Sequence, residues 1–318
     1  MEQKTEGINK KEDVRAVIRR VSRDHVLNNN GLIVGQNLIT DGRVRGTIPE
    51  IENERGIVEF PLADVAGGAF AVGAALAGRR PIYVVRFQGF QWFDAIEILN
   101  YAAKSKEMWD VPCPLFVRSV GLDAGSGPVA GNSHHGIYYR MPGVAIAEPG
   151  TPNEYESVWN YFMSHDDPVY VGENRRLWDV NYEFQDSISN EADVTLFPIS
   201  SSRLDSLEAK IMLENKYIKC NIININWLKP FLENRKDEEI GYALAHSRFG
   251  GLVLDGDYAE GVAKNIAYDL MTRHYPKDSR KVYAMALKDR TAGFAAHLQN
   301  LPPSPKEICD KVTDMVIS

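Results

Sequence analysis

Cysteine is scarce: Cys113, Cys220 and Cys309 are the three in 318 residues, and no two of them form a Cys-x-x-Cys arrangement. This excludes a disulfide framework and a cysteine zinc site, leaving reduced thiols that pack. No uninterrupted apolar run approaches the roughly 20 residues needed to cross a bilayer, so no membrane span is expected. An excess of positive charge is also missing. Lys and Arg total 36 against 43 Asp and Glu, for a net charge of −7, and nucleic acid is not expected as a partner because phosphate binding needs a basic face. Met1 to Asp13 is charged and lacks the apolar core of a secretory signal, which predicts a cytoplasmic protein with residues 1–12 as a flexible arm. Short-period repeats and low-complexity tracts are lacking too.

What remains is an ordinary globular composition, 44% hydrophobic and 25% charged, in a length that can bury two sizeable cores. Short β-rich runs bounded by turn residues predict buried strands at 31–35, 81–85, 114–117, 144–147 and 168–171. Helical stretches at 64–78, 92–106 and 152–164 fall between them, the order of a mainly parallel sheet covered on both faces. Residues 175–193 turn polar and irregular, and a second alternation follows: strand 194–199, helix 203–216, strand 218–225, helix 237–246, strand 251–255, helix 259–273 and strand 281–284. The fold class is therefore α/β with two open-sheet domains, 13–185 and 194–318.

Several segments carry chemistry. Glu59-Phe60-Pro61-Leu62-Ala63-Asp64 opens a helix rich in Gly and Ala, whose small residues let another backbone approach. That backbone is either the chain's own sheet or another subunit. By residue type alone Asp64 is an N-cap for a helix starting at Val65, and Phe87, Phe90 and Phe93 are a core stripe. Gly131-Asn132-Ser133-His134-His135-Gly136 is a Gly-rich loop with two histidines suited to proton transfer at neutral pH. Adjacent side chains point apart and no third ligand is near, so no metal is expected there.

The order and spacing of Gly35-Gln36-Asn37, Phe60–Gly78, Pro81–Lys104, Pro142-Gly143 through Pro149 and Asp255-Gly256-Asp257-Tyr258 resemble the beta subunit of the thiamine diphosphate-dependent decarboxylase component of 2-oxo acid dehydrogenase complexes (pyruvate, branched-chain and acetoin types). The resemblance covers nearly the whole chain. It implies a pyrimidine-binding domain followed by a transketolase-type C-terminal domain. Asp64 falls where the family has a glutamate that hydrogen-bonds the aminopyrimidine ring nitrogen and promotes the tautomer that deprotonates thiazolium carbon 2. Aspartate is one methylene shorter, a retreat of about 1.5 Å. Phe90 falls at the position that packs on the same ring, with Gln88 beside it as a further cofactor contact. His134 or His135 replaces the family's substrate-facing histidine, in a loop several residues shorter.

The Gly-Asp-Gly pattern with a later Asn, which holds magnesium and diphosphate in this family, is missing. The resemblance therefore implies an alpha-type partner that supplies it, holds most of the Mg2+ contacts, and completes a heterotetramer of two alpha-type and two beta-type chains. Such an enzyme decarboxylates a 2-oxo acid and passes on the acyl or aldehyde unit, with a lipoyl acyltransferase core as a further partner. A split transketolase or carboligase subunit, and a noncatalytic assembly subunit, are the alternatives. For Asp255, Asp257 and Tyr258 the resemblance implies a role in assembly.

Overall fold

The computed structural model describes residues 11–40, 42–123, 131–231, 234–276 and 279–317; of the arm expected at 1–12, residues 1–10 lie outside them. Seven strands form one sheet in the order β2 (Ile57–Phe60), β1 (Leu32–Gln36), β3 (Pro81–Val85), β4 (Phe116–Gly121), β6 (Val169–Asn174), β5 (Ala145–Ala147) and β9 (Trp227–Lys229). All neighbours are parallel except β9, which runs antiparallel to β5. A second, parallel sheet follows the order β11 (Val282–Leu287), β10 (Gly251–Tyr258), β7 (Val194–Pro198) and β8 (Cys220–Ile222).

The two-residue period of a strand sorts the core into two faces. Ile33, Ile82, Val84, Phe116, Val169 and Val171 point to one side. There they meet α1 (Val14–Asn28) through Val14, Val17, Ile18 and Val21, and α5 (Pro152–Ser164) through Tyr155, Val158, Trp159 and Phe162. Val34, Tyr83, Val85, Val117 and Tyr170 point to the other side, in a core that runs on into Phe197, Val253 and Ile266 of the second half. Asp13 caps α1 by accepting from the Ala16 N–H at 2.7 Å. Thr151 does the same for α5 from Glu154 N–H, with Pro152 at a position where its missing N–H costs nothing.

The glycine-rich helix α2 spans Asp64–Leu76. The helix expected at 92–106 is three segments: α3 (Gln91–Glu97), a π-helical stretch Ile98–Ala102, and α4 (Ala103–Trp109). The extra residue per turn re-aims the helix so that Ile98, Ala102 and Ala103 are all buried. Two glycines of α2 are required for packing. A Cβ on Gly68 would lie 2.8 Å from the Asp94 carbonyl oxygen, and one on Gly67 would lie 2.9 Å from Tyr83 Oη. Gly73 faces open space, so the small residues serve the chain's own sheet on one side and leave the other side bare.

In the second half, α6 (Ser202–Glu214), α7 (Asn234–Ala245), α8 (Val262–His274) and α9 (Pro305–Ile317) flank the four-stranded sheet. The expected helix 259–273 starts later because β10 runs on to Tyr258. The three cysteines are buried and free. No helix among the described residues is long and apolar enough to cross a membrane.

Candidate active site

The parallel strands of the large sheet end at a common edge, where open α/β sheets present their loops for binding. Gln36 is the last residue of β1, and its Nε2 donates to Asp64 Oδ1 at 2.7 Å. Asp64 is the first residue of α2, with Ala63 in the cap position and no side-chain capping bond. The N-cap role that residue type suggested is therefore not the one Asp64 takes. Its carboxylate is half-buried, and Oδ2 makes no hydrogen bond among the described residues.

Behind Asp64 lies a second carboxyl group that sequence reasoning missed. Asp94, in α3, is buried; its Oδ1 accepts a short hydrogen bond from Tyr83 Oη, and its Oδ2 has no partner. Burial raises the Asp94 carboxyl to about 7, the Tyr83 bond opposes this, and the nearby Asp64 charge adds to it. Burial and Asp94 likewise push the Tyr83 phenol upward. No sequence motif marks this pair, since Tyr83 reads as one more residue of a buried strand.

Phe90 ends a short 3-10 turn, Gln88–Phe90, that leads into α3. It is half-buried and packs against the core beneath, while Phe93 is exposed, so the expected three-phenylalanine core stripe does not form. Gln88 was expected beside a cofactor ring. It is fully buried, its Oε1 accepting from the His134 N–H at 2.7 Å and its Nε2 donating to the Ser119 carbonyl at 3.2 Å.

The two adjacent histidines have different surroundings, and neither is exposed. His134 turns its ring to a cavity of about 1050 Å³, also lined by Trp92, Arg140, Asp257, Tyr258 and Glu260. Its Nε2 lies 3.3 Å from the Gly131 carbonyl, and burial lowers it to about 4, so it is neutral at pH 7. His135 is fully enclosed. Its Nδ1 lies 3.0 Å from Glu148 Oε1, its Nε2 3.0 Å from Asp255 Oδ2, and Asp257 Oδ2 is 3.6 Å away. Burial alone would discharge this ring, but Asp255 and Asp257 outweigh it and hold His135 well above its usual value. Burial also lifts Asp257 to about 6. Gly172 makes room for the cage, since a Cβ there would fall 1.7 Å from Glu148 Oε1. His135 is thus an enclosed tie between the two halves with no access to the cavity, and of the two candidates His134 alone faces open space. Asp255 and Asp257, expected to serve assembly, act within this tie.

Around this edge the usual amphipathic order is reversed. The buried side of α3 carries Gln91 and Asp94, while Trp92, Phe93 and Ile96 face outward, Trp92 with 62% of its surface exposed. On α2, which packs beside it, Val65, Phe70 and Leu76 also face outward, next to Leu62 at 83% exposure. Exposed apolar side chains on two helices packed together are of the kind found at interaction surfaces.

A fold of two parallel sheets with a half-buried carboxylate, an aromatic turn and a neutral histidine along one edge defines a class, and comparison with known proteins identifies it. The family model described as transketolase, pyrimidine binding domain, matches residues 13–179, more than half of the chain, which therefore belongs to that family. The pyruvate dehydrogenase E1 component subunit beta of Rickettsia felis is 25% identical over 277 residues, covering 80% of this chain and 82% of that protein. The human mitochondrial pyruvate dehydrogenase E1 component subunit beta is 24% identical over 197 residues, 56% of this chain and 54% of its own. Among solved structures, one described as a split gene transketolase, inactive beta4 tetramer, superimposes with a TM-score of 0.71 at 15% identity, covering 96% of this chain and 99% of that one. The transketolase-type pyrimidine-binding domain that the sequence resemblance implied is thus present.

Proposed function

We propose that this chain is the beta half of a two-component thiamine diphosphate enzyme that decarboxylates a 2-oxo acid and passes on the acyl or aldehyde unit. The observation that carries the reading is the half-built site beside a bare apolar face: Asp64 opens α2 and Phe90 leads into α3, and both helices turn apolar side chains outward. An alpha-type chain seated there would complete the pocket and bring the diphosphate and Mg2+ ligands. The residues present fit the pyrimidine side of the cofactor. Gln36 engages one oxygen of Asp64 and leaves the other for a ring nitrogen, and Phe90 supplies a half-buried aromatic surface of the kind a heteroaromatic ring packs on.

When bound, thiamine diphosphate supplies the carbon nucleophile and the electron sink for decarboxylation. Asp64 holds a proton at the ring nitrogen, and the Gln36 amide fixes its carboxylate plane. This anchoring makes the shorter side chain a defined ligand. Neutral His134, at the cavity wall, is in the right state to accept a proton from a substrate or product hydroxyl. Trp92, Leu99 and Tyr258 line the cavity beside His134.

Asp64→Glu and Asp64→Ala, each reconstituted with an alpha-type partner, test the assignment. The Ala variant should lose cofactor affinity and turnover while Glu retains both. If neither change alters either quantity, Asp64 is outside the chemistry and a noncatalytic assembly role takes its place. Turnover that requires a lipoyl-carrying protein identifies the dehydrogenase, whereas turnover with an aldehyde or sugar acceptor identifies a transketolase or carboligase.

A further inference from the structure

Four hydrogen bonds from two buried amides join one residue of the cavity wall, His134, to one strand residue, Ser119. Gln88 Oε1 accepts from the His134 N–H, and Gln91 Nε2 donates to the His134 carbonyl. The far ends of the same two amides meet at one strand residue: Gln88 Nε2 donates to the Ser119 carbonyl at 3.2 Å, and Ser119 Oγ donates to Gln91 Oε1 at 2.9 Å. Gln88, Gln91 and Ser119 are fully buried. Each amide has one orientation that works, because a flip would set N–H against N–H or C=O against C=O.

Two buried amides are an expensive way to hold a loop, since each polar group left unbonded in the interior costs on the order of 1–3 kcal/mol. The arrangement nevertheless grips the backbone on both sides of a single residue. The neighbouring residue, His135, is independently locked by Glu148 and Asp255. Among the described residues, by contrast, the His134 ring makes a 3.3 Å contact with the Gly131 carbonyl and a tilted approach to Tyr258 with centroids 5.7 Å apart. The backbone is gripped by side chains, while the residue lines the cavity.

We propose that Gln88, Gln91 and Ser119 are positioning residues that hold the His134 peptide so that its imidazole stands at a fixed place in the cavity for proton transfer. The clamp couples the turn bearing Phe90 to the loop bearing His134, so the surface offered to a cofactor ring and the group offered to the substrate move as one unit. It rests on the reading of His134 as the substrate-facing group. The substitutions are asymmetric. Gln88→Glu keeps the acceptor for the His134 N–H but turns an oxygen toward the Ser119 carbonyl. Gln91→Glu keeps the acceptor for Ser119 Oγ but turns an oxygen toward the His134 carbonyl, breaking the grip itself. Met at either position removes the bonds at similar length.

The test has two readouts. In the isolated chain labelled with 15N-histidine, with His134→Asn to assign the signal, His134 should titrate near 4. Gln88→Met and Gln91→Met should raise that midpoint by about a unit or more toward the free-imidazole value of about 6.5, as the loosened ring gains water. In the reconstituted two-chain enzyme, the same variants should lower kcat on the order of ten- to a hundredfold, the effect of misplacing a reacting group by about 1 Å, with cofactor affinity unchanged. Gln91→Glu should be more damaging than Gln88→Glu. Should the Met variants not fold, Ser119→Ala removes a single donor and should shift both readouts in the same direction. Folded variants with an unmoved His134 titration and unchanged kcat would overturn the clamp. The two claims separate cleanly: if no alpha-type partner confers cofactor binding or turnover, the proposed function fails, while the titration still decides whether the clamp positions His134.

Discussion

Asp94→Asn isolates the buried carboxyl behind Asp64. Asparagine keeps the shape and an acceptor for Tyr83 but cannot ionise. In the folded chain Asp94 titrates at about 7 against an ordinary value of 3.8, so the folded state holds the proton more tightly than the unfolded chain does. The stability this proton provides is complete below the unfolded value near 4 and is lost as pH rises through about 7. The difference is about three units at roughly 1.4 kcal/mol each, or about 4 kcal/mol in all. His135 and Asp257 also lose stabilising protonation as pH rises, but both proteins share them, so the difference between wild type and variant reports Asp94 alone. Urea unfolding of the two proteins at pH 4 and pH 8 should show the variant gaining about 4 kcal/mol relative to wild type over that interval. A difference that stays constant within about 1 kcal/mol would mean that the buried carboxylate is stabilised by contacts this structure lacks, and would refute the reasoning.

Replacing His135 by Leu leaves Glu148, Asp255 and Asp257 enclosed without their cation, and should cost about 3–5 kcal/mol in urea unfolding near pH 6. Because the folded His135 titrates well above its usual value, its contribution is complete below about 6.5 and fades as pH rises through the folded value, so the measured loss should shrink in alkaline buffer. On the bare face, Trp92→Glu and Phe93→Glu should change the stability of the isolated chain by no more than about 0.5 kcal/mol, as surface substitutions do. The same changes should abolish assembly with an alpha-type partner, read by sedimentation velocity.

Much of the sheet is legible in the sequence because β-branched runs such as Ile82 to Val85 sit between Pro or Gly residues and have no helical period. Helix α1 was equally legible, with Val14, Val17, Ile18 and Val21 at helical spacing behind the capping Asp13, yet no element was expected before residue 31. Strand β9 was not legible. Three residues, Trp227 to Lys229, join the large sheet through antiparallel pairing with β5, and short non-local pairings leave no local trace. At the site, Asp64 and Phe90 came from the family resemblance and not from residue chemistry, which favoured a cap and a core stripe. Gln36, the Tyr83 and Asp94 pair, and the clamp on His134 needed the fold, since they join segments that meet at the edge of the sheet. The cage of His135 is the extreme case, with Asp255 lying 120 residues away in the chain.

Calorimetric titration of thiamine diphosphate with Mg2+, first into the isolated chain and then into the chain coexpressed with an alpha-type subunit, tests the shared pocket most directly. Weak or no binding by the chain alone and tight binding by the pair is the predicted result, with Trp92→Glu abolishing the gain. Tight binding by the isolated chain, or none by any pairing, would contradict it.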